Sequence, residues 1–231
     1  MITTICAAAL AALLGPQTPA RASKLTFIEG FETGTNTGNW SFFGNPANPI
    51  EVIEPSGGHP GRFLHSTCTG LGCLDTFAPE LRTQLGVASL FTGDYRAKGV
   101  TTLAVDLAVF GPPGVTTGGR PLTLILRHDP GTPGDPFDDL AVYLLGSRNI
   151  PSASGQWRTY RFRVTAASAT LPAGWEILQG SGNADADWKQ VVSDVTQASF
   201  FFGDPTFFFI FQQWELGVDN LSIRLDADEL P

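Results

Sequence analysis

The chain reads as all-β, a single antiparallel β-sandwich of roughly ten short strands with one short helix. Three observations carry that reading. Apolar and polar residues alternate with period two in run after run, the mark of strands with one buried face. The 231 residues include 26 Gly and 17 Pro, which cluster between the alternating runs as turn signals. No long stretch repeats its apolar residues at helical spacing.

The elements follow in chain order. Residues 5–14 form an apolar run too short to span a bilayer, and Ala20-Arg21-Ala22 supplies a small-x-small cleavage pattern. Residues 1–22 are therefore expected to be a signal peptide, although no Lys or Arg precedes the apolar run. Residues 23–231 are then one domain, long enough for a sizeable core. In the first strand Leu25, Phe27, Glu29 and Phe31 share one parity; in the last, Asp219 shares parity with Leu221, Ile223 and Leu225. Both carboxylates read as core-facing, where each needs a cation, hydrogen-bond donors or nearby water. Residues 101–110 alternate most cleanly, with Leu103, Val105, Leu107 and Val109 opposite Thr102, Ala104, Asp106 and Ala108. The pattern repeats over 122–126 and 157–164, and 140–145 is a more continuous apolar run. Shorter strands are expected at 50–53 and 62–65, and 198–202 with 207–213 reads as a Phe-rich hairpin. The one helix is expected over 188–195. Turn chemistry at 55–58, 111–114, 130–134 and 203–206 separates these runs.

Composition and charge narrow the partners. The formal charge is −8, and basic residues are scattered singly apart from Arg158, Arg161 and Arg163, which argues against nucleic acid. No apolar segment follows Leu225, so no membrane anchor is expected. Cys68 and Cys73 flank a Gly-rich loop, and in an exported protein such a pair is expected to form a disulfide, a metal site or redox pair being the alternatives. Closing so short a loop contributes about 2 kcal/mol on the chain-entropy model.

Several short motifs occur in a suggestive order: Phe31-Glu32-Thr33-Gly34 with Trp40, the 57–64 run Gly-Gly-His-Pro-Gly-Arg-Phe-Leu, and Phe91-Thr92-Gly93-Asp94-Tyr95. Leu171-Pro172-Ala173-Gly174-Trp175, then Trp188 with Val191, Asp194 and Val195, and finally Gly217-Val218-Asp219-Asn220 complete the set. As a set they resemble the bacterial exported proteins whose domain is similar to the laminin IV (laminin B) domain, itself similar to galactose-binding-like jelly rolls and carbohydrate-binding modules. The resemblance covers nearly all of the chain after the leader. It implies a jelly roll whose first and last strands are neighbours, often with a structural calcium. Carried over residue by residue, it makes Glu32 and Asp219 side-chain ligands, with Glu29 as the substitute for Glu32, and the 57–61 turn a source of carbonyls. The alternative is that Asp219 caps backbone amides while Glu29 and Glu32 are solvated.

A second acidic run, Asn183, Asp185, Asp187 and Asp194, has the spacing of a helix-loop-helix calcium loop, but Trp188 stands where that loop needs Gly. A solvated turn leading into the helix is the expectation, with acids favourable at its N-terminus. Sugar platforms are sought among Tyr95, Tyr143, Trp157 and Trp175, against the general rule that most aromatics in a sandwich are core. The Phe-rich hairpin is expected to be buried on both faces, the alternative being an apolar patch for a partner. His59, His65 and His128 are scattered, and no nucleophile elbow, phosphate loop or dinucleotide motif occurs. The reading is an exported, non-catalytic binding or surface-interaction module whose partner is a glycan or extracellular surface component. A jelly-roll glycan-active enzyme and a self-associating matrix protein are its rivals.

Overall fold

The alternating runs pair into two six-stranded antiparallel sheets stacked face to face. The computed structural model describes residues 24–43, 50–68, 79–111, 119–131, 139–207 and 213–226; the expected leader and Cys73 lie outside them. The strands are β1 (Lys24–Glu29), β2 (Trp40–Phe43), β3 (Ile50–Gly58), β4 (Gly61–Cys68), β5 (Glu80–Thr83), β6 (Val100–Gly111), β7 (Pro121–His128), β8 (Leu140–Asn149), β9 (Arg158–Arg163), β10 (Trp175–Gln179), β11 (Gln197–Phe201) and β12 (Trp214–Asp226). Sheet A runs β3-β4-β12-β6-β9, with β1 also paired to β12; sheet B runs β10-β8-β7-β11-β5-β2.

β12 is the spine of sheet A. Its first half pairs with β4, its second half with β1, and nearly its whole length with β6. The first and last strands are therefore neighbours, as the jelly-roll expectation has it. Leu103, Val105, Leu107 and Val109 of β6 face sheet B, meeting Leu122, Leu124 and Leu126 of β7, all buried in one core. The core also takes Trp40, Trp214, Phe200, Phe202 and Tyr95. Trp40 is packed between Phe91 and Phe200, with ring centroids 5.1 and 5.6 Å away.

Three strands escaped the sequence reading. β2, β5 and β10 have only 4, 4 and 5 residues, too few for an alternation to stand out. The expected hairpin is also corrected: β11 lies between β7 and β5, and 208–212 of its supposed partner are outside the described residues. Phe200 and Phe202 are buried, Phe201 is half-buried on the outer face of sheet B, and Phe207 is exposed.

The helix α1 spans Ala184–Ser193 and so begins four residues before its expected start. Asn183 caps it, accepting from the Ala186 amide at 3.2 Å. Asp185 and Asp187 of the acidic run thus lie in the first turn of the helix itself, where carboxylates suit the dipole, while Asp194 is its C-cap. Asp187 is buried, not solvated, and accepts from Ser181 N and Oγ at 3.0 and 2.6 Å. Asp185 accepts from the Leu171 amide at 2.9 Å. Trp188, Val191 and Val192 face the core, and Trp188 meets Trp175 at a centroid distance of 4.9 Å. No described helix is long and apolar enough to cross a membrane.

Candidate functional site

The outer face of sheet B is a groove. Successive side chains of a strand point to opposite sides, so the strands that send Leu81, Leu124 and Phe200 into the core send Glu80, Arg82, Ile125, Arg127, Gln197, Ser199 and Phe201 outward. Strand register aligns them into one row across the sheet: Ser41, Arg82, Ser199, Ile125, Tyr143 and Glu176, one from each of six strands. At a strand spacing of about 4.8 Å, the face is roughly 24 Å wide. An open cavity of about 980 Å³ lies over part of it, touching Ser41, Arg82 and Ile125 of that row, and Pro205, Thr206 and Phe207 line it beyond the end of β11; Ser199 and Tyr143 are buried.

Polar and aromatic groups on this floor are held in place. Arg127 Nη1 donates to Glu80 Oε1 at 2.6 Å and to Ser199 Oγ at 2.8 Å. The Arg82 guanidinium lies 3.5 Å over the Phe43 ring, and burial pushes its pKa down while Glu80 opposes that shift. Gln197 Nε2 donates to the Thr83 carbonyl at 3.1 Å. Donors, acceptors and ring faces are thus fixed along one open trough.

A second arrangement sits on sheet A, at the turn between β3 and β4. Asp219 pairs directly with Asp106 of β6 and is fully buried under that turn. Its Oδ2 accepts from the His59 amide at 2.6 Å and its Oδ1 from the Asn220 amide at 2.7 Å. Asp106 Oδ2 meets His59 Nδ1 and Asn220 Nδ2, both at 2.9 Å. Burial pushes the Asp219 carboxyl up to about 6; the two amides oppose the shift, and Asp106 and Glu32 add to it.

The parity argument for Asp219 needs correction. Asn220 takes the left-handed conformation at φ 47°, and the β12–β6 register slips between Asp219 and Ser222. That extra residue is a bulge. Val218 and Leu221 both face the core, while Asp219 faces outward, onto the turn. It is buried because the turn covers it.

Glu32 reaches the same turn from the other end of the chain. Phe31, also left-handed at φ 57°, is buried at 1% exposure; anchoring that ring holds the strained backbone and presents Glu32 outward. Glu32 Oε1 accepts from the Arg62 amide at 3.2 Å. A Cβ at Gly61 would collide with the Glu32 carboxylate. A Cβ at Gly58 would stand 2.5 Å from the Arg62 carbonyl oxygen, 2.8 Å from Asp219 Oδ2 and 2.9 Å from the Gly61 carbonyl oxygen. Two glycines therefore keep open an oxygen-lined cradle beside Asp219 and Glu32. Among the described residues no three His, Cys, Asp or Glu side chains suffice to hold a metal by themselves, so a cation there needs those carbonyls. Hard oxygens mixed in this way fit calcium.

Glu29 does not belong to this group. Its Oε1 accepts from the Phe31 amide at 3.0 Å, and its Oε2 accepts from Thr37 Oγ1 and, at 2.9 Å, from the Gly38 amide. It is a buried cap of the loop after β1, which removes both its solvated reading and its ligand reading.

The four aromatic candidates are dispersed. Tyr95 is a core residue whose hydroxyl donates to the Phe91 carbonyl at 2.6 Å, and Trp175 packs on Trp188; neither offers a ring face to a sugar. Tyr143 lies on the outer side of sheet B at 4% exposure. Its hydroxyl donates to Glu176 at 2.6 Å, and burial together with Glu176 pushes its pKa up to about 12. Trp157 is half-buried on the other sheet, stacked on His59 at 6.3 Å and tied by Nε1 to the Gly57 carbonyl at 3.0 Å. The groove residues Phe43, Arg82 and Arg127 were missed. Their signal, polar residues alternating with apolar ones, was present, but which strands lie side by side was not.

No protein-family model and no characterised protein sequence matches the chain. Solved structures do resemble it. The family 11 carbohydrate-binding module of Clostridium thermocellum, in complex with a β-1,3-1,4-mixed-linked tetrasaccharide, is 12% identical with a TM-score of 0.49, over 88% of this chain and 96% of that one. The CBM22-1–CBM22-2 tandem domain of Paenibacillus barcinonensis Xyn10C is 13% identical with a TM-score of 0.47, over 92% of this chain and 51% of that one. CBM27-1 of Caldicellulosiruptor saccharolyticus, in complex with mannohexaose, is 11% identical with a TM-score of 0.36, over 86% and 96%.

Proposed function

We propose that this chain is an exported, non-catalytic carbohydrate-binding module that takes a glycan chain in the groove of sheet B. The observation that carries this reading is the open trough on the outer face of sheet B. There Arg127, Arg82 and Gln197 offer fixed hydrogen-bonding groups beside Phe43, Phe201 and Phe207. Such a floor matches a sugar chain, whose hydroxyls need donors and acceptors and whose ring faces need apolar contact. Arg127 ties up Glu80 in an ion pair within the floor; Asp129 and Asp139 are the other acids among the described residues that line the groove, and release of reducing ends is the assay that would reveal a catalytic pair among them.

Affinity electrophoresis of the protein against mixed-linked β-glucan, xylan and mannan tests the reading. Retardation by at least one polymer is expected. Arg82→Ala and Phe207→Ala should each weaken it roughly tenfold, about 1.4 kcal/mol. No retardation by any of them, or new reducing ends released from the polymer, would overturn the module as described.

The same proposal includes calcium at the turn of sheet A, held by Glu32, Asp219 and main-chain oxygens of the 58–62 turn. The ion would supply positive charge between carboxylates that otherwise repel one another. It would join the loop after β1 to β12. A bridge between Cys68 and Cys73, removal of a leader over 1–22 and membership of the laminin-IV-like family belong to this reading too.

A further inference from the structure

The geometry points to a second ligand site, one for the anionic group of a carboxylated or sulfated polysaccharide, in an arginine-lined cavity between the ends of β8 and β9. The chain is acidic, with 14 Lys and Arg against 22 Asp and Glu, yet here basic residues collect. Arg148 comes from the end of β8 in sheet B, and Arg158 and Arg161 from β9, the edge strand of sheet A. All three line one open cavity of about 910 Å³, with no acidic residue among the described residues that line it. A smaller cavity of about 220 Å³ shares Arg148 and Arg161. Among the described residues none of the three guanidiniums makes an ion pair or a hydrogen bond.

The three arginines are exposed, and the fold keeps in place the backbone that carries them. The Tyr160 hydroxyl donates to the Asn149 carbonyl at 3.0 Å, tying β9 to the end of β8. Ile150 N donates to the Arg120 carbonyl at 2.7 Å. An edge strand often carries charge to prevent strand addition, which accounts for Arg161 but not for Arg148 on the opposite sheet. A guanidinium fork matches the oxygens of a carboxylate or sulfate. Trp157 lines the same cavity with its indole fixed by Gly57, adding an apolar surface for a sugar ring. The formal charge of −8 opposes every long polyanion, acidic polysaccharide and nucleic acid alike, so single-stranded DNA is the control that separates them.

This site shares no lining residue with the groove of sheet B and does not rest on that reading. The test is binding of the whole protein to polygalacturonate, a sulfated galactan, neutral mixed-linked β-glucan and single-stranded DNA, at low and at physiological salt. Retention by polygalacturonate or the sulfated galactan is expected, weakening with salt; which of the two binds identifies carboxylate or sulfate. The double variant Arg148→Ala, Arg161→Ala should lose it by roughly tenfold or more. Arg148→Gln with Arg161→Gln, which keeps most of each side chain's bulk, should do the same without altering the melting temperature. Neutral glucan binding should be unchanged in either variant. No binding to either acidic polymer, equal binding to DNA, or full retention by the glutamine variant would overturn the proposal. Failure of neutral glycans alone would overturn the groove and leave this site standing.

Discussion

Asp219 faces Asp106 across two strands, and two backbone amides are the groups that offset its charge. Like charges directly opposite are unfavourable in a sheet, and the carboxyl titrates at about 6 against about 3.9 in an unfolded chain. A raised carboxyl pKa means the folded state binds its proton more tightly. The stability this adds is fully present below about pH 4 and is lost as pH rises through about 6. In chelator, Asp219→Asn should therefore flatten the fall in melting temperature across that window; identical profiles for variant and wild type would remove burial as the cause. With calcium, the ionised form is the one held. Calcium at a hundred times its dissociation constant should add about 2.7 kcal/mol, roughly 5–10 °C for a domain of this size. Asp219→Ala should abolish that chelator response. Asp185→Ala loses the bond to Leu171 and a favourable charge in the first turn of α1, and should lower the melting temperature equally with and without calcium. The calcium idea is falsified if wild-type melting is the same in excess chelator and excess calcium.

The turn between β3 and β4 does its work through absent side chains. Gly58→Ala leaves both carboxylates in place but puts a methyl group among the oxygens around Asp219. It should remove the chelator response as completely as Asp219→Ala does, read by the same thermal scan. At α1, Asn183→Ala removes the cap on the Ala186 amide and should cost about 1 kcal/mol, or roughly 2–4 °C. The elements differ in how far their residues announce them. The strict alternation of β6 is visible because residues 102–109 repeat one rule. β5 shows only Glu80-Leu81-Arg82-Thr83, and its identity comes from β2 and β11 on either side of it. The early start of α1 follows from a capping Asn and two acids that also resemble a metal loop. The bulge at Asn220 is set by local backbone conformation, which period-two counting cannot see, so Asp219 was assigned the wrong face. Glu32 and Asp219 still meet the same turn, because joining the first and last strands was the one long-range relation the motif set carried. The groove depends on six strands brought together from across the chain, an order no local pattern encodes.

Across the whole molecule, Cys68 ends β4 directly opposite Trp214, the start of β12. If Cys68 and Cys73 are bridged as proposed, the intact mass of exported protein should show no free thiol before reduction. Reduction should then lower the melting temperature by roughly 4–8 °C, from about 2 kcal/mol of loop closure. Two alkylatable thiols in undenatured material would sink the bridge. Deleting 214–226 should abolish cooperative unfolding altogether, since β1, β4 and β6 all lose their shared partner. That dependence also sets a timetable. Synthesis runs from the N-terminus, so β12 emerges after every strand it must join, and sheet A has no centre until its residues have been made. A nascent chain in that condition is unfinished by construction, however complete its first eleven strands are.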